Sequence, residues 1–237
     1  MNFKLITTGL AALSLLATSF SAEAADIPRP VYKGVRSVVA YYNWTGFYAG
    51  INGGYGWGRS NWDDAAAAGP LTVSPKGWMF GGTLGYNYQA GSIVWGIEGD
   101  FDWSNVKGSS ACGAFNCTTE NRWLATFRGR LGYAVDRFLP YITAGGAYGD
   151  IKATTSNPAF PGASTSKLGW TAGGGVEYAF MGNWTTKLEY LYVDLGKFNC
   201  GINCGPLVAG VNNVSFKEHI VRAGLNYKFS GPVFGRY

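Results

Sequence analysis

Glu98, Asp100 and Asp102 occupy every second position of one short segment, and Arg122, Arg128 and Arg130 share one parity in the next. Alternate spacing puts each set on a single face of an extended strand. Close carboxylates are the raw material of general acid/base chemistry. Here they face arginines, which hold them ionised, and no cleft is implied. Glu177, Lys187, Glu189, Glu218, Arg222 and Lys228 fall on the corresponding face of other segments. A buried charge without a partner costs several kcal/mol. The expectation is therefore a salt-bridged network inside the fold, with a gated ion path as its functional alternative.

No other catalytic constellation emerges. His219 is the one histidine, and Ser215 lies four residues away on the same face but well separated from it, with no third member for nucleophilic catalysis. An interfacial histidine accounts for His219 better than a haem or metal ligand does. Gly81–85 reads as a glycine-tolerant strand rather than a phosphate loop. Asn43, Asn116, Asn183 and Asn213 begin Asn-x-Ser/Thr triplets that carry no weight. No cofactor and no enzyme activity are implied.

Cys112, Cys117, Cys200 and Cys204 form two close pairs between strand-like segments. In an exported chain disulfides are the default. Local bridges, Cys112–Cys117 and Cys200–Cys204, are favoured over a cross-link between the two segments. Both are favoured over a four-thiolate zinc site, for which the spacings are loose.

The elements that position these residues show in the apolar alternation. From Val221 to Phe229 every second residue is apolar, with Arg222, Gly224, Asn226 and Lys228 between. Similar segments span 47–57, 78–88, 93–103, 123–133, 141–151, 168–180 and 184–194, with aromatic rings near their ends. The faces of 141–151 are not assignable, because the segment is rich in glycine. The pattern predicts an all-β fold: an eight-stranded antiparallel transmembrane β-barrel, oily outside and polar inside. Eight strands leave an interior that side chains just fill. Connections 89–92, 134–140 and 181–183 are short, as periplasmic turns are; 58–77, 104–121, 152–167 and 196–214 are long, as external loops are. Residues 77–97 match a membrane helix in length and lack charge, but six glycines and an alternating pattern make them two strands and a turn at Ala90-Gly91-Ser92.

The chain has 237 residues, of which 36 are glycine, with 16% aromatic and 14% charged residues. That composition argues against disorder and fits twisted membrane-crossing strands. Residues 1–24 read as a signal peptide: Lys4, an apolar run, then Ala22-Glu23-Ala24. Residues 25–45 form a periplasmic lead-in, 46–229 the barrel, and 230–237 a tail. The net charge of +5 is too small and dispersed for nucleic acid but suits acidic lipopolysaccharide.

Ala25-Asp26-Ile27-Pro28, the run Trp44-Thr45-Gly46-Phe47-Tyr48-Ala49-Gly50, Glu189-Tyr190-Leu191-Tyr192-Val193-Asp194-Leu195-Gly196 and the closing 221–229 resemble the opacity-protein-like outer-membrane surface antigens of alphaproteobacteria, relatives of the OmpA-type transmembrane barrel. The resemblance covers essentially the whole mature chain. It implies an outer-membrane protein of a Gram-negative cell that stabilises the envelope and displays antigenic loops. A narrow or oligomeric porin-like channel, or a haem- or small-ligand-binding surface protein, is the alternative. Implied partners are outer-membrane lipid, lipopolysaccharide and the barrel-assembly machinery, with a homo-oligomer open. One departure is the tail 230–237 beyond Phe229, where such barrels usually end.

Overall fold

Twelve cross-strand partners, from Gly46 opposite Asn87 to Trp57 opposite Lys76, seat the first long strand against the second, and the alternation of each matches that of the other. The computed structural model describes residues 42–63, 71–112, 115–159, 162–199 and 213–229, all within the unit Ala40–Tyr237. The signal segment, the start of the lead-in, the tail, Cys200 and Cys204 lie outside the described residues. The strands are β1 (Gly46–Asp63), β2 (Leu71–Val73), β3 (Lys76–Ala90), β4 (Ile93–Cys112), β5 (Phe115–Tyr133), β6 (Phe138–Thr155), β7 (Ala163–Met181), β8 (Trp184–Asn199) and β9 (Asn213–Lys228). All neighbours are antiparallel, and β1 also pairs with β9, so the sheet closes into a ring. The short β2 continues β3 outward along β1, beyond a break at Ser74-Pro75. Eight long strands thus form the wall, and closure leaves no free edge.

The long strands run 15 to 20 residues, whereas about 9–11 tilted residues cross a bilayer. Much of what reads as external connection is therefore strand continuing past the membrane: β4 and β5 approach each other as far as Cys112 opposite Phe115. The polarity of the wall inverts on the way out. Across the bilayer the outward residues of β9 are Val221, Leu225 and Tyr227, with Arg222 and Asn226 inside; further out Lys217 faces solvent, and Val214 and Phe216 are buried. The inversion is marked by irregular pairing. Register shifts occur between Trp103 and Val106 on β4, between Asn121 and Trp123 on β5 and between Asp194 and Lys197 on β8. Gly196 takes φ +69° at the last of these, a left-handed conformation suited to a bulge.

At the inner end the turns are tight. Gly91 (φ +62°) turns β3 into β4 and Gly182 (φ +52°) turns β7 into β8. The described end of the lead-in meets this rim. Trp44 is buried with Val94, Leu139 and Ala179. Its backbone N–H donates to Gln89 Oε1 at 2.8 Å and its indole N–H to the Asp136 carbonyl at 3.2 Å.

Candidate functional site

The strand faces that point inward carry five carboxylates and four cations into one cluster at mid-height. Glu98, Asp100 and Asp102 come from β4, Arg128 and Arg130 from β5, Glu177 from β7, Lys187 and Glu189 from β8 and Arg222 from β9. Arg128 bridges β4 to β8: it pairs with Glu98, with Asp100 at 2.6 Å and with Glu189 at 3.0 Å. Arg222 reaches Glu189 at 2.7 Å, Asp102 at 2.9 Å and Asp100 at 3.0 Å. Lys187 lies 2.9 Å from Glu98, and Arg130 lies 2.7 Å from Glu177. Hydroxyls complete the coordination: Tyr48 donates to Glu98 at 2.8 Å, Tyr141 to Glu189 at 3.0 Å, Thr83 and Thr126 to Asp100 at 2.7 and 2.9 Å and Thr185 to Glu177 at 2.5 Å. Arg128 is 0% and Arg222, Lys187 and Glu189 are each 1% exposed. Such shared, charge-assisted bonds repay the desolvation of ions that would otherwise be costly to bury.

The glycines explain how long ionic side chains fit an eight-stranded lumen. Across the ladder Arg128 faces Gly145, Arg222 faces Gly54, Glu98 faces Gly85, Arg130 faces Gly96 and Glu189 faces Gly175. A Cβ at Gly145 would overlap the Phe127 carbonyl oxygen and lie 2.6 Å from the Arg128 Cα; one at Gly54 would lie 2.6 Å from the Arg222 Cβ. Each large charged residue takes the volume its neighbour gives up.

Apolar layers lie at both ends of the cluster. On the outer side Leu124, Leu191, Val193, Leu195, Phe216 and Ile220 belong to one buried group. On the inner side Trp44 and its neighbours form the other. Tyr42 leans on the same rim, where burial, with the Glu177 charge adding, pushes its phenol up to about 12.

Three residues expected in the network stand outside it. Arg122 is exposed and pairs with Asp150 at 2.5 Å, its Nη2 donating to Ser164 Oγ at 3.1 Å. It sits at the irregularity between Asn121 and Trp123, where one extra residue breaks the inward parity of β5. Lys228 lies at the inner mouth, bonded to the Asn43 carbonyl and 4.4 Å from the Tyr42 ring. Glu218 is fully buried but makes no ion pair among the described residues; Asn121 Nδ2 donates to it at 3.1 Å. The hydroxyl donors Tyr48, Thr83, Thr126, Tyr141 and Thr185 are the network members that sequence reasoning did not identify. Tyr48 shared an inward parity with Asn52, which was the available signal; Tyr141 sits on the strand whose faces glycine obscured.

The remaining sequence candidates separate. His219 packs among outward aromatic rings: its Nδ1 lies 2.6 Å from Tyr190 Oη, and the Trp57 ring stacks on it at 6.0 Å. Ser215 is buried on β9 and does not meet it. Cys117 is buried and disulfide-bonded. The side chain of Cys112 lies, with Cys200 and Cys204, outside the described residues.

Comparison with known proteins agrees with this architecture. The family described as outer membrane protein beta-barrel domain matches residues 11–229. The chain is 40% identical over 212 residues to the 31 kDa outer-membrane immunogenic protein of Brucella melitensis, covering 79% of this chain and 85% of that one. It is 32% identical over 225 residues to the 25 kDa outer-membrane immunogenic protein of Brucella abortus, covering 95% and 97%. The 22 kDa outer membrane protein of Rhizobium leguminosarum is 35% identical over 193 residues, covering 79% of each. The closed antiparallel wall, its outward aromatic belts and these relatives together place the chain: it belongs to the outer-membrane β-barrel family, among the alphaproteobacterial surface antigens, and resides in the outer membrane of a Gram-negative bacterium.

Proposed function

We propose that the protein is a structural element of the outer membrane, a sealed barrel that braces the envelope and holds its outer rim as a display surface. The observation that carries this reading is the cross-section at mid-height, where Arg128, Arg222, Lys187 and Glu98 interlock at 0–2% exposure. Opening a water-filled path there would separate several charge pairs at once, and each stranded charge costs about 3–5 kcal/mol. The apolar layers on either side add two further barriers to a hydrated ion. Each carboxylate of the cluster is tied to at least one guanidinium or ammonium group, an arrangement suited to cohesion.

The experiment is deletion and complementation. A strain lacking the protein should become sensitive to detergent and to large antibiotics that an intact outer membrane excludes. Expression of the wild type should restore resistance. A deletion strain with unchanged permeability but impaired uptake of a small solute would overturn the structural reading in favour of transport.

A further inference from the structure

Outside the wall, just beyond the outer aromatic belt, four cations stand in one row on four consecutive strands. Lys217 on β9 is directly opposite Arg59 on β1. Arg59 is two residues beyond Trp57, whose partner on β3 is Lys76, so Arg59 and Lys76 are diagonal neighbours. Lys76 is directly opposite Lys107 on β4. All four are exposed. Like charges opposite one another on a sheet repel, and this row contains two such pairs in succession.

Only the ends of the row are neutralised. Lys107 pairs with Glu120 of β5 at 3.0 Å, and Lys217 pairs with Asp194 of β8 at 3.2 Å. Arg59 and Lys76, between them, make no ion pair among the described residues. On the far side of the wall carboxylates alternate with the cations: Arg122 holds Asp150, and Lys152 stands across the ladder from Glu120, which itself pairs with Lys107. The β1–β3 sector instead sets two neighbouring cations, Arg59 and Lys76, side by side with no ion pair among the described residues.

The height of the row fixes what would meet it. Arg59, Lys76 and Lys217 each lie one outward position beyond a ring, namely Trp57, Trp78 and His219, and Lys107 lies just past Trp103 across the irregular pairing. Trp78 and Trp103 are 72% and 64% exposed on the lipid side. Rings of this kind sit at the membrane–water interface, which puts the cations at headgroup level, with acyl chains against the aromatics below. Arginine beside lysine matches phosphate, the first as a fork and the second as a point charge.

We propose that Arg59, Lys76, Lys107 and Lys217 form a binding site for the phosphorylated headgroup of an outer-leaflet glycolipid, lipopolysaccharide being the lipid of that chemistry. Arg59 and Lys76 bind the phosphates, Lys107 and Lys217 extend the field, and Trp57 and Trp78 seat the lipid body. The site depends on residence in the outer membrane and is independent of whether the lumen conducts.

The test uses the full protein in discs of zwitterionic phospholipid. Wild type, Arg59→Gln/Lys76→Gln and Arg137→Gln, a control on the opposite rim, are titrated with lipopolysaccharide, its dephosphorylated form, inorganic pyrophosphate and heparin. Heat-modifiable migration in SDS confirms that each variant is a closed barrel. The wild type and the control should prefer phosphorylated over dephosphorylated lipid. The double variant should bind phosphorylated lipid about tenfold more weakly, and added salt should shrink that difference. Equal binding by wild type and double variant, or no preference for phosphate, overturns the site. Displacement by pyrophosphate at the same concentration as lipid would assign the row to free phosphate instead. Tighter binding of heparin than of lipid would assign it to an acidic polysaccharide.

Discussion

Replacing Arg128 with alanine removes the cation that ties β5 to both β4 and β8. Glu98, Asp100 and Glu189 each lose a partner at once. The remaining cations soften the loss, since Lys187 still reaches Glu98 at 2.9 Å and Arg222 still reaches Asp100 and Glu189 at 3.0 and 2.7 Å. Breaking a buried pair by removing one partner costs about 3–5 kcal/mol, and this compensation puts Arg128→Ala near the lower end, at about 3 kcal/mol. Leu131→Ala, three residues on and facing lipid, is the comparison. It forfeits the transfer of three carbons, about 2 kcal/mol, but lipid fills the space and no cavity cost is added. Charge count sharpens the test. The wild-type cluster has five carboxylates and four cations, and Arg128→Ala leaves five and three. Adding Glu98→Gln restores the original imbalance, so the double variant should be about 1 kcal/mol or more stabler than Arg128→Ala alone, a coupling of the size that contacting residues show. Urea unfolding in lipid vesicles measures all four proteins. A neutral Arg128→Ala, or a Glu98→Gln that adds to its cost instead of relieving it, would refute the claim that paired charge holds the midplane together.

Two further substitutions separate inside from outside. Gly145→Ala should destabilise by about 1–3 kcal/mol through overpacking against the Phe127 carbonyl and Arg128, whereas Gly146→Ala, with no atom within 4 Å of its Cβ, should be neutral or slightly stabilising in the same assay. Trp44→Ala removes the largest side chain of the inner apolar layer, 1% exposed, and should cost about 3 kcal/mol without making the barrel conduct, because the ionic layer stays in place; conductance in that variant would show that the lead-in, and not the charges, is the seal.

Membrane-crossing alternation was legible because one physical rule governs each strand between the aromatic belts: β9 read outward from Val221 gives the same faces that the structure shows. The rule fails where the environment changes. Beyond Trp57 and His219 the outside is water and the inside mostly apolar, with Val214, Phe216 and Leu195 buried beside Glu218, so Val214 continues the strand while 196–214 reads as loop. Arg122 was misplaced for a related reason, since a single extra residue at the edge of the belt reverses parity and nothing local announces it. The network's makeup was visible as charges of one parity, but its contacts were not. Arg128 meets Glu189 across the lumen only after eight pairings close the ring, and the match of each large ionic residue to a facing glycine needs register, which composition does not carry. Trp44 read as part of an extended lead-in; its burial depends on Val94, Leu139 and Ala179, which come from three different strands.

The most direct test of the sealed lumen is ion conductance of the purified, heat-modifiable protein in planar bilayers, wild type beside an Arg128→Ala/Arg222→Ala variant. The wild type should hold the baseline current of protein-free lipid, and the variant, stripped of the two guanidinium groups that bridge β4 to β8, should show transient openings. Steady open-channel current from the wild type, unchanged by removing both arginines, would contradict the account.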